Sequence, residues 1–133
     1  MLIESDQGLA NLLKTVRHVA LVGASHKPER PSYRVLTFLL EKGYRVTPVN
    51  PGLAGQTLQG QTVVGALGDI DEPVDMVDIF RQGSALPALV DEAIAIGAPS
   101  LWTQLDVRHP EAEQKALDNG LTVVIDKCPA QEW

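Results

Sequence analysis

The spacing of apolar positions changes several times along the chain. Leu9, Leu12, Leu13 and Val16 recur at helical intervals, and Ser5 or Asp6 stands where a helix cap is needed. At His18–Val22 the periodicity gives way to a nearly unbroken apolar run, as expected of a strand covered on both faces. Helical spacing returns at Val35, Leu36, Leu39 and Leu40, with Ser32 as the expected N-cap and Gly43 just past the end. Arg45–Val49 reads as a second strand, closed by the turn signal Asn50-Pro51-Gly52. Residues 52–61 are rich in Gly and Gln, lack a period and read as loop. Thr62-Val63-Val64 reads as a short third strand, and residues 66–70 as a helical turn.

The second half repeats the alternation. Residues 74–80 form a strand with Val77 and Ile79 on one face and Met76, Asp78 and Phe80 on the other. Ser84 is the expected cap of a helix that turns Leu86, Leu89, Val90, Ala93 and Ile94 inward and stops at Gly97. Residues 99–104 are a strand. Pro110 opens a helix where its missing N–H is harmless. Asn119-Gly120 closes that helix, and residues 121–125 are the last strand. Strands alternating with helices define an α/β protein with a doubly wound parallel sheet and right-handed crossovers. The expected strand order is 3-2-1-4-5, with room for a sixth strand. Residues 1–133 are expected to form a single domain, with residues 1–16 supplying an N-terminal helix packed on it.

Composition narrows the partners. A formal charge of −6 disfavours nucleic acid and anionic membrane surfaces, so neither is an expected partner. No apolar run approaches the roughly 20 residues that span a bilayer, and the N-terminus lacks a signal-peptide pattern. The one cysteine, Cys128, cannot form an internal disulfide, which suits a reducing cytoplasm. His18, His26 and His109 lack metal-ligand spacing, so no metal is expected. Asp71, Glu72 and Asp75 read as a solvated turn.

The candidate chemistry gathers behind the first strand. Val22-Gly23-Ala24-Ser25 runs into a loop carrying Lys27, Arg30 and Pro31, and a helix follows. Strand, tight turn and helix N-terminus together favour a phosphate. In a doubly wound sheet the ligand crevice lies where strand order reverses, outside the carboxyl ends of the strands. The loop from Gly23 should therefore face Phe80-Arg81-Gln82-Gly83, with Lys27, Arg30, Arg34 and Arg81 as a cationic rim. NAD fits poorly. Only the first glycine of G-x-G-x-x-G is present, and Asn50 stands where an acidic residue would take the ribose hydroxyl. No P-loop, G-x-S-x-G or other acid–base–nucleophile constellation occurs, so the chain is read as a non-enzyme.

Seven segments carry a resemblance. They are Val22-Gly23-Ala24-Ser25, Arg30-Pro31-Ser32, Gly43-Tyr44-Arg45-Val46, Pro48-Val49-Asn50-Pro51, Val77-Asp78-Ile79-Phe80-Arg81, Trp102-Thr103-Gln104 and Val124-Ile125-Asp126-Lys127-Cys128. In this order and spacing, over about residues 16–128, the chain resembles the small stand-alone CoA-binding proteins. These are similar to the N-terminal domain of the succinyl-CoA synthetase alpha subunit. The resemblance implies a Rossmann-like domain with coenzyme A as its ligand. It sets Gly23, Ala24, Ser25 and Lys27 at the pyrophosphate, with Arg30 and Ser32 nearby and the ADP part reaching the turn at Asn50 and Pro51. Phe80 and Arg81 would line the facing wall, and Thr103 and Gln104 the path of the pantetheine arm. The 3′-phosphorylated ribose of CoA would be repelled by a carboxylate at the second strand's end, but not by Asn50. Leu53 departs from the lysine that follows the Pro-Gly turn in the synthetases. Asp106 departs from a glycine of the small family, and Lys127 from its arginine. The phosphorylated histidine of the synthetases lies in a domain this chain lacks. The expected function is thus a non-catalytic CoA or acyl-CoA binding module acting as carrier, sensor or regulator. The alternatives are the nucleotide-binding component of a multi-chain acyl-CoA ligase, or a NAD(P)-binding protein.

Overall fold

The computed structural model describes residues 1–104 and 107–125. Its elements run α1 (Asp6–Thr15), β1 (His18–Val22), α2 (Pro31–Glu41), β2 (Arg45–Val49), β3 (Thr57–Leu58), β4 (Gln61–Thr62), β5 (Met76–Ile79), α3 (Leu86–Ala95), β6 (Ser100–Thr103), α4 (Pro110–Asp118) and β7 (Thr122–Val124). The main sheet is parallel, in the order β2-β1-β5-β6-β7. The chain is an α/β, Rossmann-like domain.

Each face of the sheet has its own apolar cluster. On one face Leu9 and Leu13 of α1 and Val35, Leu36 and Leu39 of α2 pack over Val19, Leu21, Met76 and Trp102. On the other, Val90 and Ala93 of α3 and Ala112 and Ala116 of α4 cover Ala20, Val77, Ile79 and Leu101. Every residue of β1 is buried, which explains its unbroken apolar run. The Tyr44 hydroxyl donates to the Leu13 carbonyl and fastens the end of α1 to the chain entering β2.

The sheet differs from expectation at its margins. The expected third strand shrinks to one parallel bridge, Val64 beside Val49, with Val64 N donating to Pro48 O (3.0 Å) and Asn50 N to Val64 O (2.9 Å). The sixth strand is present as β7. Residues 1–3 add a further bridge beyond it, Leu2 beside Val123. Residues 52–61 are not plain loop, since they contain the β3–β4 hairpin. Its turn holds Gln59 and Gly60 at φ +49° and +81°. Gln59 is an uncommon choice there, but its side chain is anchored by Thr37 Oγ1 (2.8 Å) and the Tyr33 carbonyl (3.1 Å).

Two helix starts also shift. Arg30, not Ser32, is the N-cap of α2, because Pro31 takes the first helical position with its φ already set. Ser32 lies buried in the first turn. Ser84 does not cap α3 but sits inside a 3-10 turn, Gly83–Ala85, that leads into it. Asp75 is more than a solvated turn residue, because its carboxylate accepts the N–H groups of Arg17 and His18, each at 3.0 Å.

Candidate functional site: a cationic cavity at the strand ends

Strand order reverses between β1 and β5, and a cavity of about 620 Å³ opens at the carboxyl ends of these strands. Of the residues expected there, Gly23, Ala24, Ser25, Lys27, Arg30, Ser32, Asn50, Phe80, Arg81 and Gln104 line it. His26, Pro31, Gly52, Leu53 and Val107 join them. Two expected residues lie elsewhere. Thr103 is fully buried as the last residue of β6, paired with Ile79. Pro51 lines a second cavity of about 330 Å³, which shares Arg81 with the first. Arg34 is not part of the rim, and its Nη2 donates to the Glu29 carbonyl at 3.3 Å.

Gly23 brings the two walls together. Its φ is +89°, and a Cβ there would stand 3.1 Å from the Phe80 main chain and 3.2 Å from Arg81 Cδ. The loop after β1 thus rests directly on the end of β5. The N–H groups of Gly23 and Ala24 are already used, since both donate to the Val49 carbonyl, at 3.0 and 3.3 Å. The backbone donors of this loop without a protein acceptor among the described residues come later, at Ser25, His26, Glu29 and Ser32, of which all but Glu29 line the cavity. The last of these lies in the first turn of α2, which no side chain caps. An anion there would meet free N–H groups and the positive end of the helix dipole.

Asn50 braces the site through both ends of its amide. Its Nδ2 donates to the Ala24 carbonyl (2.7 Å) and its Oδ1 accepts from Gly52 N (2.8 Å). Lys27, Arg30 and Arg81 are exposed, and none has a carboxylate partner among the described residues. Three uncompensated cations around one cavity run against the acidic whole. Leu53 reaches the cavity from the turn after β2 while packing on the core. Cys128, Asp106, Asp126 and Lys127 lie outside the described residues.

Behind the cavity wall lies a group that the sequence reading treated only as part of a strand. Asp78 is completely buried and accepts a hydrogen bond from Gln104 Nε2. Burial pushes its carboxyl up to about 8, against the smaller lowering effect of Gln104. Its Oδ2 has no partner among the described residues. The signal was present, since Asp78 is the one acid on the otherwise apolar face of Met76 and Phe80. The remaining histidines are structural at two places. His18 bridges the Pro73 carbonyl and Thr47 Oγ1, both at 2.7 Å, and His109 accepts from Ala112 N at the start of α4. No cluster of metal-binding side chains occurs among the described residues, and no helix there is long and apolar enough to cross a membrane.

A parallel sheet with a phosphate-type loop at its switch point defines a nucleotide-binding α/β domain. Residues 17–133 match the family model described as a CoA binding domain, and the chain belongs to that family. It is 33% identical over 124 residues to protein YneT of Bacillus subtilis (strain 168), covering 93% of this chain and 90% of the relative. Among solved structures, cell-free ID.343 from Thermus thermophilus is 40% identical with a TM-score of 0.93, covering 97% of this chain and 96% of that one. A hypothetical protein from Pyrococcus horikoshii OT3 is 35% identical, also at 0.93, covering 97% and 89%. The dinucleotide-forming acetyl-coenzyme A synthetase 1 of Ca. Korarchaeum cryptofilum shares the fold at a TM-score of 0.71 and 21% identity. The match covers 84% of this chain but 27% of that one.

Proposed function

We propose that this chain is a cytoplasmic, non-catalytic binding module for coenzyme A or an acyl-CoA, serving as carrier, sensor or regulator. The observation that carries the reading is the set of three uncompensated cations, Lys27, Arg30 and Arg81, around one cavity that also exposes unused N–H groups at the start of α2. In this reading the pyrophosphate sits against Ser25, His26 and Ser32, with Lys27 and Arg30 beside it. Gly23 and Ala24 shape the loop without donating. The ADP end extends toward Asn50, Pro51 and Arg81; no carboxylate lines the main cavity, and Glu92 lines the adjoining one that holds Pro51. The pantetheine arm passes Phe80 toward Gln104 and Val107, and Thr103 supports that wall from behind.

The residues present fit the ligand's chemistry. Charge-assisted bonds to phosphate need cations without competing partners, and this rim supplies them. Calorimetry with CoA, acetyl-CoA, 3′-dephospho-CoA, NAD and NADP tests the reading. CoA and acetyl-CoA should bind, dephospho-CoA more weakly, and the nicotinamide cofactors weakest. Binding of NAD or NADP in preference to CoA would overturn it. A second reading draws on the shared fold with the synthetase, of which this chain matches about a quarter. The chain would then be the nucleotide-binding component of a multi-chain acyl-CoA ligase. Co-purification of an ATP-grasp partner that forms acyl-CoA only together with this chain would select it.

A further inference from the structure

Asp78 occupies the central strand of the sheet, where an acid has no packing advantage. Its register neighbours are Leu21 on β1 and Trp102 on β6, and Met76 shares its face. Helix α2 covers that face with Val35, Leu36 and Leu39. No charged or titratable side chain among the described residues compensates it; burial raises its pKa, and the Gln104 hydrogen bond opposes that rise. A buried carboxyl with one free oxygen costs stability relative to an apolar side chain of similar size. Among the described residues the one thing it holds is Gln104.

Gln104 is fixed by its main chain as well. Its N donates to the Ile79 carbonyl (3.2 Å), and its carbonyl accepts from Val107 N (3.1 Å). The residue is 5% exposed, and it lines the cavity. One Nε2 hydrogen is committed to Asp78, and Oε1 meets no protein donor among the described residues. A carboxamide held through one N–H has the direction of its oxygen fixed.

We propose that Asp78 is a positioning residue that, by holding Gln104 Nε2, turns Gln104 Oε1 toward the cavity as a fixed acceptor for an amide N–H of the ligand. This rests on the CoA reading, in which the amide groups of the pantetheine arm are those donors. Asp78 touches no ligand itself.

The test compares CoA with adenosine 3′,5′-bisphosphate, which carries the nucleotide end without the arm. Asp78→Val removes the acceptor that orients Gln104. It should raise the thermal midpoint, weaken CoA about 3- to 10-fold and leave the bisphosphate unchanged, the size of one neutral hydrogen bond. Asp78→Asn keeps a carbonyl for Gln104 Nε2 and should retain CoA affinity within about 2-fold on the same grounds. Gln104→Leu should lose as much as Asp78→Val, and the double variant no more than either, because both act through one bond. Equal CoA affinity in the wild type, Asp78→Val and Gln104→Leu overturns the proposal. So does a parallel loss for both ligands in Asp78→Val. Failure of the wild type to bind either ligand strikes the CoA reading instead.

Discussion

Replacing Gly23 with alanine separates two costs that usually arrive together. The first is backbone strain. Gly23 has φ +89°, and an L-residue held at positive φ costs about 1–2 kcal/mol. Gly43 has nearly the same angle, +90°, with nothing within 4 Å of an added Cβ, so Gly43→Ala carries the strain alone. The second cost is crowding. At Gly23 the new methyl meets the Phe80 carbonyl carbon and oxygen at 3.1 Å and Arg81 Cδ at 3.2 Å. The arginine can move aside, but the main chain cannot easily, since Phe80 N donates to Val22 O at 2.8 Å. Overpacking of this kind adds about 1–3 kcal/mol. Gly43→Ala should therefore lower the unfolding midpoint by roughly 5 °C, and Gly23→Ala by roughly 10 °C, for a domain of this length. Calorimetry well below the midpoint should find Gly43→Ala binding CoA normally. Gly23→Ala should bind at least about 10-fold more weakly, because Ser25, His26 and the cations Lys27 and Arg30 follow the displaced turn and lose part of a charge-assisted contact. Equal midpoints for the two variants, with CoA bound equally, would refute the claim that the close approach of Gly23 to β5 builds the site.

Other outcomes follow from groups around the same cavity. Asp78 keeps its proton up to about pH 8, whereas in the unfolded chain it loses it near 3.8. Between these limits the native state holds the extra proton, so this group's contribution to stability falls as pH rises, by about 1.4 kcal/mol per pH unit at most. The urea midpoint measured from pH 5 to 8 should decline more steeply in the wild type than in Asp78→Asn, and identical slopes would count against it. A Cβ at Gly83 would stand 2.2 Å from the Arg108 carbonyl oxygen. That segment cannot retreat freely, because Glu113 holds Arg108 (3.0 and 3.2 Å) and His109 N (2.9 Å). Gly83→Ala should cost about 2–4 kcal/mol in urea unfolding, near the upper end of overpacking. It should also weaken CoA binding through Val107, and near-native stability would show that the two loops are not locked together.

The sheet was legible because its strands are buried on both faces and its helices on one. Those two conditions write different periods, as the runs at His18–Val22 and at Val35, Leu36 and Leu39 show. The hairpin at residues 57–62 was not legible. Its turn is made by Gln59, whose positive φ is held by Thr37 and Tyr33 from another part of the chain, and no local residue type announces that. The cavity's membership was readable from topology, since any residue just past β1 or β5 must end at the switch point. The division of labour inside it was not. That the Val49 carbonyl consumes the N–H groups of Gly23 and Ala24, and that Asn50 is engaged at both ends of its amide, are hydrogen-bond facts that residue type alone leaves open. Thr103 lies apart from the cavity because it shares the face of Leu101, which α3 and α4 cover.

The bridges at the sheet's margins bear on how this protein can meet others. Val64 occupies the outer side of β2, and residues 1–3 occupy the outer side of β7, with Ile3 N donating to Val123 O (2.9 Å) and Val123 N to Met1 O (2.8 Å). Neither flank offers a long row of idle main-chain groups to an incoming strand. Assembly by strand addition, a common route for α/β and β proteins alike, is closed at these points. Another chain would have to approach across a helix face or over the loops at the strand ends. On the second of these routes it would meet the cationic cavity, so that ligand and partner compete for, or share, the same ground.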